Sequence, residues 1–346
     1  MALPDPAPVL ALIDAFRGSK TMFAALGMGI FDRLHDGPST AAALAPALQA
    51  DEAALARLLD GCAALGLLAK RRGVYSNTPL AETYLWSGSP DSLCGYIRYS
   101  NDALYPMWGR LEDAVREGAP RWQQTFGIEG GIFGGFYRSE QATRDFARGM
   151  HGFGRLTSPR VAEAFDLSRF RCVADLGGGT GHLAIAICER YPGIRGVVFD
   201  LPVIAPLARE NAALSPARDR MEIVEGDFFQ DPLPPADLYA LGRILHDWSD
   251  SKCGVLLRAI SAALPPGGGL LIADRLLHED GAGPLPACLQ SLNMLVATEG
   301  RERSLSEFAA LLHHAGFEQV EGRHTGAPLD AVIAIKPGGS RARMEP

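Results

Sequence analysis

The chain has 346 residues, of which 47% are hydrophobic and 21% charged, with a formal net charge of −7. That balance is ordinary for a globular protein long enough for two domains, and the negative charge argues against a polyanionic partner. Its six cysteines are far apart with no Cys-x-x-Cys pair, which argues against a cysteine zinc site and fits reduced thiols in a cytoplasm.

The first residues lack the basic region of a signal peptide. No apolar run nears the roughly 20 residues needed to span a bilayer, so the expected setting is cytoplasmic, without a membrane. Apolar residues at helical spacing run from Val9 to Leu34, interrupted by Gly27 and Gly29, and a Gly37-Pro38 break follows. Ser39-Thr40 can cap a helix over 41–48, and Asp51 one over 52–65. Segments 67–70 and 74–76 read as a hairpin around Arg71-Arg72-Gly73. This is the order of a winged helix. Residues 1–95 nevertheless hold seven Lys/Arg against nine Asp/Glu, and the segment that would enter a groove, 52–65, has one arginine. Phosphate neutralisation needs a cationic face. The expectation is therefore a dimerisation domain over 1–95 that binds no nucleic acid and pairs through apolar surface including Met22, Phe23 and Leu26.

Residues 96–170 read as a helical connector with aromatic and glycine-rich stretches at 105–108 and 130–135. From 171 to 337 strand and helix alternate. Predicted strands cover 171–176, 196–200, 221–225, 237–242, 269–274, 319–324 and 330–336, and predicted helices cover 182–191, 203–214, 250–264 and 304–315. The alternation predicts an α/β fold with a mostly parallel sheet covered on both faces. Residues 338–346 are expected to be a disordered tail.

Ligands bind at the carboxyl ends of such strands, and the informative residues cluster there. The run Asp175-Leu176-Gly177-Gly178-Gly179-Thr180-Gly181 joins the first of these strands to a helix, and the next strand closes on Asp200, 23 residues after Gly177. Glycines let backbone approach a ligand, and an acid at that strand tip suits a ribose diol. A dinucleotide fingerprint would require a third glycine where His182 stands. Asp175 at the turn suits an ammonium and a sulfonium better than phosphates. S-adenosylmethionine carries both, and is the expected cofactor.

After the third strand, Asp227 and Phe228 stand where an acid can meet an adenine amino group and a ring can stack on it. After the fourth, His246 lies ahead of a helix that Ser249 or Asp250 can cap. A histidine at that edge reads as a general base, with Asp274 or Glu302 able to fix its tautomer. The alternative for Glu302 is a solvated loop charge near Arg301 and Arg303. No carboxylate cluster suited to Mg²⁺ stands out, so no metal is expected.

The Asp-Leu-Gly-Gly-Gly-x-Gly turn, the Phe199-Asp200 strand end, Gly226-Asp227-Phe228-Phe229, Leu245-His246-Asp247-Trp248 and Thr298-Glu299-Gly300-Arg301-Glu302-Arg303 occur in this order. In this the chain resembles small-molecule O-methyltransferases of the plant caffeate and hydroxyindole type over nearly its whole length. The resemblance implies a Rossmann-like class I methyltransferase domain with an N-terminal winged-helix dimerisation domain, and an intertwined homodimer. It implies His246 as general base flanked by Asp274 and Glu302. Asp175, Gly177, Gly179, Asp200, Leu201, Asp227, Phe228, Arg243 and Tyr137 would hold the cofactor. Asp247, Asn293, Met294 and Met150 would meet a small aromatic hydroxyl substrate.

Three positions depart from the family pattern. Asp274 is one methylene shorter than the plant glutamate, Ala297 replaces a glutamine of the hydroxyindole branch, and Gly154 falls about where that branch has a tryptophan. The expected reaction is in-line methyl transfer to oxygen. Rival readings are N-methylation by positioning alone, a winged-helix metabolite sensor, and a nicotinamide-dependent dehydrogenase.

Overall fold

The computed structural model describes residues 3–129 and 140–338. Tyr137 and the expected tail beyond Gly338 lie outside the described residues. The chain divides into two compact units, 1–103 and 104–346.

In the first unit, helix Ala7–Gly27 is followed by Ile30–His35, and Gly29 makes the break in a left-handed conformation (φ +72°). Thr40 and Asp51 cap helices Ala41–Leu48 and Glu52–Ala64 by accepting hydrogen bonds from the backbone N–H of Ala43 and Ala54. Strands β1 (Ser39–Thr40), β2 (Leu68–Arg71) and β3 (Val74–Asn77) form an antiparallel sheet in the order β1-β3-β2. Its core packs Leu26, Ile30, Phe31, Leu55, Leu59 and Tyr75 together. Leu26 is thus interior, which corrects its expected place on a pairing surface. The exposed stripe lies earlier on the first helix, at Val9, Leu10, Leu12, Ile13 and Phe16. The i, i+3/i+4, i+7 spacing that builds one helical face explains both sets of residues.

The second unit is built on seven strands: β4 (Cys172–Leu176), β5 (Arg195–Asp200), β6 (Met221–Glu225), β7 (Leu238–Gly242), β8 (Gly269–Asp274), β11 (Glu318–Arg323) and β12 (Asp330–Ile335). Their order is β11-β12-β8-β7-β4-β5-β6, parallel throughout except that β12 runs antiparallel to both its neighbours. Val197 and Phe199 join the core under helices Asp250–Ala263 and Leu305–His314, while Val198 between them packs with Ala184 and Ala208 on the other face. Strand alternation thus buries both faces. Because β5 and β6 lie on one side of β4 and β7 and β8 on the other, a crevice opens at the carboxyl ends of β4 and β7.

Two elements that bear on the crevice went unforeseen. Helix Leu285–Ala297 is one. The other is a parallel two-residue ladder of β9 (Leu276–Leu277) and β10 (Arg303–Ser304). Among the described residues no helix is long and apolar enough to cross a membrane.

Candidate active site

The turn after β4 is bonded to the tip of β5. Gly177 N–H donates to Phe199 O at 2.8 Å, and Gly179 N–H donates to Asp200 Oδ2 at 2.7 Å. The other carboxylate oxygen, Oδ1, takes the Leu201 N–H at 2.7 Å. Gly177 takes a left-handed backbone (φ +64°) that favours glycine, and a Cβ there would also press on Ile244 and Phe228. Above Gly179 (φ +58°) a Cβ would meet nothing within 4 Å, so the turn presents open backbone there. Burial pushes Asp200 up to about 6, with these two N–H donors opposing it.

Asp175 lies near the end of β4. It is 1% exposed and sits behind the turn, where Oδ2 accepts from Ala184 N at 3.2 Å at the start of helix His182–Arg190. Burial raises it to about 7.

Beyond β6, Asp227 Oδ1 accepts from Phe229 N and Oδ2 from the Gln230 amide. The half-buried rings of Phe228 and Phe229 meet edge-on, with centroids 4.8 Å apart, and Phe229 meets Trp248 at 5.0 Å. After β7, Arg243 takes a left-handed backbone (φ +60°) and its N–H donates to Ala273 O. Its guanidinium lies over Phe153 (4.8 Å), with Nη1 3.2 Å from Met150 Sδ. The site of the expected family tryptophan is taken by a histidine ring: a Cβ on Gly154 would fall 2.3 Å from His182, whose Nδ1 is 2.8 Å from Ser158 Oγ.

His246, 3% exposed, sits in the short helical turn Leu245–Asp247. Its Nδ1 is 2.8 Å from Glu302 Oε1 and 3.6 Å from Asp274 Oδ1, and its Nε2 is 3.7 Å from Asp247 Oδ1. Glu302 is wholly buried and Asp274 nearly so; neither is a solvated charge. Both oxygens of Asp274 and Oε2 of Glu302 have no hydrogen-bond partner among the described residues. The ladder of β9 and β10 fixes this spacing by pairing Arg303 with Leu276, next to Glu302 and two residues past Asp274.

Two acids meet beside an imidazole, which is a mixed set and not the all-oxygen set that Mg²⁺ takes. His246, Asp274 and Glu302 place their donor atoms within 4.8 Å of one another, with both acids at the Nδ1 side of the imidazole. Burial pulls His246 down most strongly, but Glu302, Asp274 and Asp247 together outweigh it and raise the imidazole to about 9. Asp274 is pushed up to about 7 by burial, with His246 opposing, and burial also raises Asp247. An ionised carboxylate only accepts hydrogen bonds, so Glu302 keeps a proton on Nδ1 and leaves Nε2 as the atom that loses or gains one.

Asn293 is 8% exposed, and its Oδ1 accepts from the Trp108 indole at 2.8 Å. The indole only donates, so the amide orientation is fixed. Met294 is buried in the same helix. Sequence reasoning missed Trp108, Gly300 and Arg303. Trp108 is 185 positions from its partner, and the other two resemble ordinary loop residues.

A doubly wound sheet with a glycine turn, an acid at the adjoining strand tip and a buried His–carboxylate cluster one crevice away defines a Rossmann-like class I methyltransferase. Residues 108–318 match the O-methyltransferase domain model and 10–87 the O-methyltransferase dimerisation domain model; the chain belongs to this O-methyltransferase family. It is 44% identical to the acetylserotonin O-methyltransferase of Bos taurus over 93% of this chain and 95% of that one. Its fold matches human N-acetylserotonin methyltransferase in complex with SAM (TM-score 0.90, 41% identity, 97% and 99% of the two chains). It also matches PigF with SAH (TM-score 0.87, 31% identity, 96% and 100%).

Proposed function

We propose that the protein transfers the methyl group of S-adenosylmethionine to a hydroxyl of a small aromatic or heteroaromatic molecule, with His246 as general base. The observation that carries this reading is the buried imidazole of His246, held by Glu302 and Asp274 on the same sheet edge as Asp200 and the glycine turn.

The site fits the nucleoside: the turn is open above Gly179, and Asp200 is largely buried and anchored by two backbone donors. Gly177, Gly179 and Leu201 would shape the groove, Asp200 would take the ribose diol, and Asp227 with Phe228 the adenine. Arg243 would close the far side, and Tyr137 joins this set on resemblance alone. Asp175 supports the turn from beneath. When bound, the cofactor supplies a methyl group on a cationic sulfur that leaves as a neutral thioether.

The remaining chemistry belongs to the chain. The acceptor hydroxyl loses its proton to His246 Nε2 as its oxygen bonds to the methyl carbon. Glu302 and Asp274 hold the Nδ1 proton and stabilise the imidazolium that forms. A phenol has a pKa of about 10, and such a base contributes about 10²–10⁴-fold. A cation brought near the imidazole lowers its pKa, which frees Nε2 when the cofactor is present. Asp247, Asn293, Met150 and Met294 would orient the acceptor, and the connector would line its pocket.

The exposed stripe on helix Ala7–Gly27 supports a homodimer formed through the first unit. The direct test offers the protein a labelled methyl donor and a panel of phenols, hydroxyindoles and heterocyclic hydroxyls, read by mass. Methylation on oxygen in one class is expected. Methylation only of amine acceptors, or of none, would refute the reading.

A further inference from the structure

Arg303 is 0% exposed, although arginine is among the residues least often buried. Its guanidinium reaches both ends of the turn that carries the base: Nη1 donates to Leu245 O at 2.8 Å and Nη2 donates to Trp248 O at 3.0 Å. Nε and Nη2 also hold Asp250 Oδ1, at 3.0 and 2.7 Å, where the next helix starts. The two carbonyls bracket His246 and Asp247. The same loop presses on the turn from another point, since a Cβ on Gly300 would fall 2.1 Å from His246 O.

We propose that Arg303 is a positioning residue for methyl transfer, a fork that fixes the turn so that His246 Nδ1 meets Glu302, the residue immediately before it in the chain. This rests on the reading of His246 as base. One short segment thus supplies the imidazole's acceptor (Glu302), the clamp on the imidazole's backbone (Arg303) and the contact that sets their approach (Gly300). Arginine is needed because its planar fork serves two carbonyls and a carboxylate at once, whereas lysine offers a single ammonium. Asp250 balances the charge but is half in water; the carbonyl bonds are what reach the base. Catalytic groups held loosely lose rate sharply, with about 10²-fold for a displacement near 1 Å.

The test uses the full chain with the accepted substrate. Arg303→Lys should lower kcat by about 10²-fold, while KM for the methyl donor stays within about twofold. The far-downfield proton resonance of the His246–Glu302 hydrogen bond should shift or vanish. Asp250→Asn should keep that resonance and most of kcat, because the carbonyl bonds remain. If Arg303→Lys does not fold, Gly300→Ala displaces the same turn with Arg303 in place, and the same split is expected. Near-normal kcat and an unmoved resonance in whichever of the two variants folds would overturn the proposal. Failure of the base assignment itself reads differently: His246→Asn would then keep full turnover.

Discussion

His246 Nδ1 lies 2.8 Å from Glu302 Oε1 although 56 residues separate them, and both side chains are nearly or wholly out of water. A buried acid that only accepts fixes which ring nitrogen is free. Asp274 adds a second acid at 3.6 Å, so the imidazole is both oriented and made more basic.

Glu302→Gln should shift the pH dependence of kcat/KM. The Glu302 charge, acting against burial, is the largest influence raising His246 to about 9. Without it the imidazole loses its proton at lower pH, and the acidic limb of the profile should move toward lower pH. A limb that stays in place would mean that another group is being titrated.

Cofactor affinity should follow Asp200. Burial pushes its carboxyl up to about 6, and only the ionised form offers both oxygens to a diol. Affinity measured by calorimetry should therefore improve as pH rises through about 6 and level off above it. Asp200→Asn should flatten this dependence and weaken binding; an unchanged slope would contradict the assignment.

Asp274→Asn should trade activity for stability. A carboxyl raised from 3.8 to about 7 in the fold contributes stability below its ordinary value and loses it as pH rises through about 7. Above pH 7 the neutral amide removes that burden, while the imidazole loses part of its support. The thermal midpoint at alkaline pH should rise, by about 2–4 °C for each kcal/mol relieved, and kcat should fall. A midpoint that falls at every pH would show that the charged form is already satisfied.

Leu12→Asp combined with Phe16→Asp should convert a dimer to monomers in sedimentation. These side chains are 77% and 54% exposed on one face of helix Ala7–Gly27, and a charge there opposes burial against a second copy. An unaltered sedimentation coefficient would place the pairing surface elsewhere.

Much of this arrangement was legible in the chain. Each of β4 to β8 is a short apolar or β-branched run followed by a glycine, an acid or a charged turn, so strands and crevice residues could be placed within a residue or two. Thr40 and Asp51 announced their helices through local capping chemistry. What escaped depends on distant partners. Leu26 and Phe16 are both apolar on one helix, and only the packing of Ile30 and Phe31 decides which is interior. Ser249 sits at the start of its helix without capping it, while the expected alternative cap, Asp250, is engaged by Arg303. The ladder that joins Arg303 to Leu276 is two residues long, too short for any periodicity to show. Arg303 itself reads as one charge among several until its carbonyl partners are seen.

The most direct measurement compares His246→Asn with the unaltered protein for cofactor binding by calorimetry and for methyl transfer to the accepted hydroxyl. Affinity within about threefold and turnover lowered by about 10²–10⁴-fold are expected. Undiminished turnover in that variant would contradict the reading of His246 as general base.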